Sequence, residues 1–320
     1  MRPPFEYSAK IVELLSQVTF LLGKVQTKGL AIPNPKLRKE NRIRTIFSTL
    51  AIEGNTLTEE QISEVLEGKK VVGTRNEILE VKNTIKLYED ISKFSHTNIK
   101  DFLKAHGVHM KGLVSKAGQF RTKGVGIFKG EKVIHPAPKA LLVPELMEKL
   151  FNWASKDNET HFIIKSCVLH YEIEFIHPFM DGNGRMGRFW QTLVLSNFDA
   201  VFKYLPLETM IKAYQEEYYE VLEKCDKAGN STLFIEFLLK LIIDALNDFI
   251  NNSPATVNKP STRLELARHI FGKKQFSRKE YISVVPEIST ATASRDLKKW
   301  VESAELKKQG ENNKTIYKFI

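Results

Sequence analysis

His177, Asp181, Arg185 and Arg188 fall within twelve positions of one another, around the turn Gly182-Asn183-Gly184. Each residue type suits one task in phosphate chemistry. A histidine titrates near neutral pH and can take a proton from a hydroxyl group. An aspartate is a hard oxygen ligand for Mg²⁺, which travels with phosphates. Glycines let the backbone approach a phosphate closely, and successive N–H groups form an anion-binding nest. Arginines fork onto phosphate oxygens. Read as chemistry, the stretch is a nucleotide phosphate cradle with a base beside it.

The flanking residues place this stretch between two helices. His161 to Phe175 contains neither Gly nor Pro and reads as a buried helix, and Phe189 to Asn197 is again apolar at helical spacing. The turn therefore opens a helix, whose unpaired N–H groups and positive partial charge attract anions. Upstream, Leu37 to Ile52 is apolar at helical spacing and ends at Glu53-Gly54-Asn55, with Gly54 suited to the position after a helix end. Thr56-x-x-Glu59 offers an N-cap for the next helix. A carboxylate at a helix C-terminus opposes the macrodipole, so Glu53 calls for a cationic partner. Further helices are expected over 5–30, between Ser63 and His96 with breaks near Gly68 and Gly73, over Thr97–Leu113, from Val143, from Leu205 through Leu222, and from Thr232 to about Asn251. Val125, Ile127, Val133 and Ile134 flank Lys129-Gly130-Glu131, a hairpin signal in an otherwise helical pattern.

The stretch from His177 to Arg188 resembles the His-x-Phe-x-Asp/Glu-Gly-Asn-Gly-Arg-x-x-Arg motif of the Fic (filamentation induced by cAMP) family, with every fixed position filled. Thr49-Leu50-Ala51-Ile52-Glu53-Gly54 is similar to that family's Ser/Thr-x-x-x-Glu-Gly/Asn inhibitory motif, here on the N-terminal side of the core. The resemblance implies a mainly α protein: an all-helical Fic core with a small β-hairpin flap, preceded by an inhibitory helix. It implies transfer of AMP from ATP to a Ser, Thr or Tyr hydroxyl of a target protein or of the chain itself. In that scheme His177 is the base, Asp181 holds Mg²⁺, and Phe179 anchors the loop. Gly182, Asn183, Gly184 and Arg185 bind the transferring and leaving phosphates. Arg188 holds the γ-phosphate once released from Glu53, so the resting enzyme is largely off. The flap, residues 124–135, would hold the target as an added strand. Tyr218 and Tyr219 belong to the core by base rate, yet one of them could stack on adenine. Two rival readings stay open: removal of AMP at the same site, with Glu53 positioning a water, and a DNA-bound regulator whose core only senses nucleotide.

Composition bounds the rest. At 320 residues, 42% hydrophobic and 27% charged, the chain has the balance of an ordinary soluble protein. It has no signal-like N-terminus and no apolar run near the roughly eighteen residues of a membrane span, so a cytoplasmic protein without membrane contact is expected. Cys167 and Cys225 lie in apolar helical contexts and read as reduced core residues. Residues 261–320 hold 13 Lys and Arg against 7 Asp and Glu, a surplus of six within the net charge of +10. Their helical spans 262–271, 277–284 and 290–303, followed by alternation from Leu306 to Ile320 about a Gly310–Asn313 turn, resemble a winged helix-turn-helix. Thr290 to Leu297 would begin a recognition helix suited to a DNA major groove, with a protein partner as the alternative. The expected division is 1–110 as an N-terminal helical region with the inhibitory helix at 37–54, 111–250 as the catalytic core, 251–261 as a linker and 262–320 as the winged helix. A homodimer is allowed, though no interface pattern signals it.

Overall fold

The computed structural model describes residues 2–28, 30, 33, 35–129, 132–252, 260–285, 288–310 and 315–320. The expected hairpin tip (130–131), most of the expected linker (253–259) and most of the expected wing turn (311–313) lie outside them. The described residues are mainly helical, with one two-stranded and one three-stranded antiparallel sheet. They divide into two compact units, residues 1–16 with 40–245 and residues 17–39 with 246–320. These units do not follow the expected spans, since 40–110 and 111–245 fall together and 17–39 are grouped with the C-terminal residues. α1 (Ala9–Thr27), α2 (Pro35–Ile52) and α11 (Thr232–Asn252) each begin in one unit and end in the other.

In the first unit, α2 ends as a helix with a glycine cap should. Gly54 takes φ of 88°, and Asn55 donates its N–H to the carbonyl of Leu50 at 3.1 Å. Helix α3 (Glu59–Leu66) is capped by Thr58 in a capping box with Gln61, not by Thr56 as the Thr-x-x-Glu spacing suggested. Thr56 instead donates to Glu77 at 2.6 Å, in the first turn of α4 (Arg75–Glu89). The loop after α2 is thereby tied to α4. Asn98 caps α5 (Ile99–His109). The hairpin pairs β1 (Gly126–Lys129) with β2 (Lys132–Pro136) and shifts register between Ile127 and Phe128.

Helices α6 (Val143–Lys156), α7 (Phe162–Ile176) and α8 (Asn183–Phe198) form the centre of this unit. Nearly every residue of α7 from Ile163 to Ile176 is buried, as a helix apolar on all sides must be. Even Lys165 is buried there, its Nζ paired with the Asp157 carboxylate at 3.2 Å. An aromatic cluster supports the turn between α7 and α8. Phe102 of α5 packs on Trp190 of α8 at 5.0 Å, on Phe179 at 5.3 Å and on Phe151 at 5.4 Å between ring centroids. The single helix expected from Leu205 is two, α9 (Leu207–Ala213) and α10 (Gln215–Ala228), because Tyr214 leaves helical geometry between them.

In the second unit, residues 260–320 form α12 (Pro260–Phe271), α13 (Arg278–Val284), α14 (Thr290–Glu302) and a sheet in the order β3-β5-β4. Strands β4 (Leu306–Gln309) and β5 (Ile316–Phe319) are joined by β3 (Phe276–Ser277), which at two residues is too short to leave a periodic signal. Ser277 caps α13 in a capping box with Glu280. Tyr281, Leu297, Trp300 and Phe319 fill the core, where Arg263 and Asp296 pair bidentately and Tyr281 donates to Asp296 at 3.0 Å.

Candidate active site

His177 ends α7 in the left-handed conformation, at φ 49°. That conformation disfavours a side chain with a Cβ, so its surroundings must hold it. Arg121 does much of this. Its Nε donates to the His177 carbonyl at 2.7 Å, its Nη2 to the carbonyls of Pro138 and Ile176, and its backbone N–H to that of Pro178 at 2.9 Å. One buried guanidinium thus satisfies the last carbonyls of α7 and fixes where the imidazole begins. Nδ1 of His177 lies 3.3 Å from the Glu174 carbonyl. With the proton on Nδ1 to make that bond, the lone pair is on Nε2, the nitrogen a base needs.

The turn that follows is held from within. Phe179 is fully buried and stacks on His106 with centroids 3.6 Å apart and planes 4° from parallel. His106 accepts from the Gly118 N–H at 2.8 Å through Nδ1 and donates to the Asp181 carbonyl at 3.0 Å through Nε2. The Asn183 side chain is also committed to the turn: its Oδ1 accepts from Phe179 N–H at 2.8 Å and its Nδ2 donates to the Phe179 carbonyl at 3.0 Å. The Asn183 side chain thus shapes the turn from within. Gly182, at φ 85°, precedes α8 and provides no side-chain cap. The first N–H groups of α8 therefore lack the usual side-chain acceptor, which is the arrangement that binds anions.

Both arginines are buried on the first turns of α8 and both are met by carboxylates. Arg188 reaches the end of α2: Nη2 pairs with Glu53 at 2.7 Å and donates to the Thr49 carbonyl at 3.1 Å, and Nε donates to Thr49 Oγ1 at 3.0 Å. The cation that Glu53 calls for at its helix end is thus Arg188. The pair is asymmetric, with 1% of the Arg188 side chain exposed against 26% of Glu53. Burial works against the Arg188 charge, but Glu53, Tyr218 and Glu174 outweigh it and raise its pKa. A Cβ on Gly184 would lie 2.5 Å from Glu53 Oε1 and would displace that carboxylate. Arg185 pairs with Asp181 at 2.6 Å and with Glu80 of α4. The carboxylate contacts of Asp181 run through Oδ1, to Arg185 and to the Gly182 N–H.

The tyrosine pair separates. Tyr218 is buried and donates to Glu174 at 3.1 Å, with His170 Nε2 at 3.0 Å, so it presents no face on which a base could stack. Tyr219, 37% exposed, is the one left with an accessible ring. Burial opposes the charge on Glu174, but His170, Arg188 and His177 together hold it below the ordinary carboxylate range. Glu80, Arg121, His106 and Glu174 were not singled out from the sequence. A glutamate and a histidine in the apolar run of α7 were signals for the last; nothing marked Glu80 or Arg121.

Burial pushes the His106 imidazole down to about 4, against the hydrogen bond to Asp181, so the folded protein holds it neutral. With the unfolded value near 6.5, the unfolded chain binds the extra proton between about pH 6.5 and 4. The stability His106 contributes is complete above that window and is lost as pH falls through it, about 2–3 kcal/mol by pH 4.5. Urea unfolding at pH 7.5 and pH 4.5 checks this. His106→Gln, which does not titrate, is expected to lose less stability between the two than the parent chain.

With this geometry in view, the comparisons with known proteins fall into place. A model of the Fic/DOC family matches residues 96–195. Relatives described as protein adenylyltransferase Fic include one from Drosophila mojavensis, 27% identical over 250 residues, and one from Aedes aegypti, 28% identical over 250. These alignments cover 73% and 72% of this chain, which spans about half (47%) of each relative's length. Among solved structures, Fic-1 (residues 134–508) from C. elegans superposes with a TM-score of 0.61 at 22% identity, covering 75% of this chain and 72% of that one, and shares the fold. A Fic family protein from Desulfovibrio desulfuricans G20 superposes with a TM-score of 0.76 at 37% identity, over 100% of this chain and 98% of that one. Similar in sequence and fold from end to end to that protein, the chain belongs to the Fic family.

Proposed function

We propose that the chain is an autoinhibited protein adenylyltransferase, which transfers AMP from ATP to a protein hydroxyl. The observation that carries this reading is the Glu53–Arg188 contact at 2.7 Å beside an uncapped helix start and a histidine base. His177 Nε2 takes the proton of a target Ser, Thr or Tyr hydroxyl as its oxygen bonds to the α-phosphorus and the bond to the diphosphate breaks. The N–H groups that open α8 and the Arg185 guanidinium stabilise charge on the transferring and leaving phosphates. Arg188 binds the γ-phosphate after Glu53 lets go. Asp181, with more than half of its side chain exposed and Oδ2 outside the Arg185 contact, suits a Mg²⁺ ion, which would neutralise phosphate charge when bound. The fold places β1 and β2 on the chain segment just after Arg121, the residue that holds His177, which supports the hairpin as the place where a target strand docks.

We further infer that residues 260–320 are a winged helix-turn-helix that contacts nucleic acid. Its support is the exposed face of α14, with Thr290, Ala291, Arg295 and Lys298, alongside Lys307 and Lys308 of β4. Among the described residues, no helix is long and apolar enough to cross a membrane.

Two measurements test these readings. With α-labelled ATP and Mg²⁺, Glu53→Gly is expected to gain label as one AMP unit by intact mass, and Glu53→Gly/His177→Ala to lose it. Equal label in all forms, or none with any target source, contradicts the transfer reading; release of AMP from a pre-labelled target would favour the reverse reaction instead. For the C-terminal residues, duplex DNA binding is expected to weaken steeply with salt, and Arg295→Ala to lower the slope of log K against log salt by about 1. Absence of salt-dependent binding rules out DNA as the partner.

A further inference from the structure

Arg185 is the cation proposed for the transferring phosphates, yet at rest each of its terminal nitrogens already meets a carboxylate. Nη1 is paired with Glu80 and Nη2 with Asp181. Its Nε, buried, has no hydrogen-bond acceptor among the described residues. A carboxylate that only oriented Arg185 toward an anion would occupy one edge of the guanidinium and leave the other to the cradle. Here carboxylates meet both terminal nitrogens.

Glu80 is also joined to the inhibitory segment. Its Oε2 accepts from Asn55 Nδ2 at 2.8 Å, and Asn55 stands two residues beyond Glu53 in the tight turn that ends α2. Asn55 Oδ1 in turn accepts from the Leu57 N–H at 3.1 Å. Displacement of the α2 end therefore disturbs Glu80's second partner, and withdrawal of Glu80 removes an anchor of the segment that carries Glu53.

We propose that Glu80 is a second inhibitory carboxylate, which holds Arg185 from the phosphates as Glu53 holds Arg188, with Asn55 coupling the two. The proposal rests on the reading of the site as an ATP site restrained by Glu53. Entry of the triphosphate then exchanges two carboxylate–guanidinium pairs for phosphate–guanidinium pairs. It also loosens the Arg185 contact to Asp181 Oδ1.

ATP affinity, measured by calorimetry with Mg²⁺ on the full chain, tests this without relying on transfer. Glu80→Gln keeps an acceptor for Arg185 and removes the charge. It is expected to bind ATP about tenfold more tightly than the parent, the range set by one charged hydrogen bond, and to tighten binding further in Glu53→Gly. Asn55→Ala is expected to shift affinity in the same direction by less. If Glu80→Gln misfolds with Arg185 buried and uncompensated, Glu80→Asp, which draws the carboxylate back by one methylene, and Asn55→Ala carry the same comparison. Tighter binding in Glu53→Gly with unchanged or weaker binding in the Glu80 and Asn55 variants overturns the proposal and leaves the functional reading standing. Tighter binding in the Glu80 variants alone supports Glu80 and removes Glu53 from its assigned role. No tightening in any variant overturns both.

Discussion

Two buried guanidinium groups on the first turns of α8 are the constraint around which the rest of this site is arranged. They lie where the helix start already carries positive partial charge, so each adds to a potential that the protein interior screens poorly. Such a concentration of positive charge must be balanced in every state the protein occupies. In the resting state carboxylates do so: Glu53 and the nearby Glu174 for Arg188, Glu80 and Asp181 for Arg185. A triphosphate could replace part of this set, because its oxygens supply the same charge and accept the same forks. Inhibition and substrate binding are, on this account, two ways of meeting one electrostatic requirement.

The asymmetry of the Glu53–Arg188 pair fits a releasable contact. Removing one partner from a fully buried pair leaves an uncompensated charge and is strongly destabilising. Glu53 is partly exposed, and Arg188 keeps Thr49 and the influence of Glu174 and Tyr218 when Glu53 is gone. The cost of opening is therefore smaller than for a pair sealed in the core. Holding His177 in a left-handed conformation needs the opposite kind of setting, a rigid one, and Arg121, the His106–Phe179 stack and the Asn183 clamp provide it. Base and turn are fixed by buried contacts, whereas Glu53 is the partly exposed partner of its pair.

Much of this could be read from the chain, for identifiable reasons. The stretch from His177 to Arg188 is short, its chemistry is dense, and flanking apolar runs place it between helices. Glu53 stood out because a carboxylate at a helix C-terminus requires a cation. Glu80 did not, since it is one of several acidic residues on a half-exposed helix and its partner lies 105 positions away. Arg121 was hidden in the same way within a Gly-bearing loop. That the Asn183 amide holds the turn through Phe179 was not legible, since spacing does not show where a side chain points. At the start of α3 the Thr56-x-x-Glu59 spacing pointed to the wrong threonine, because Thr56 is drawn to Glu77 and Thr58 caps the helix. Tyr218 followed the base rate for aromatics into the core, leaving Tyr219 at the surface.

If the proposed function holds, Glu53 and the γ-phosphate compete for Arg188. Crystals of the parent chain and of Glu53→Gly, each grown with ATP and Mg²⁺, would decide it. The γ-phosphate is expected within hydrogen-bonding distance of Arg188 in Glu53→Gly only, with the parent retaining the Glu53–Arg188 contact of 2.7 Å. A γ-phosphate bound to Arg188 in the parent chain, with Glu53 still in place, would contradict it.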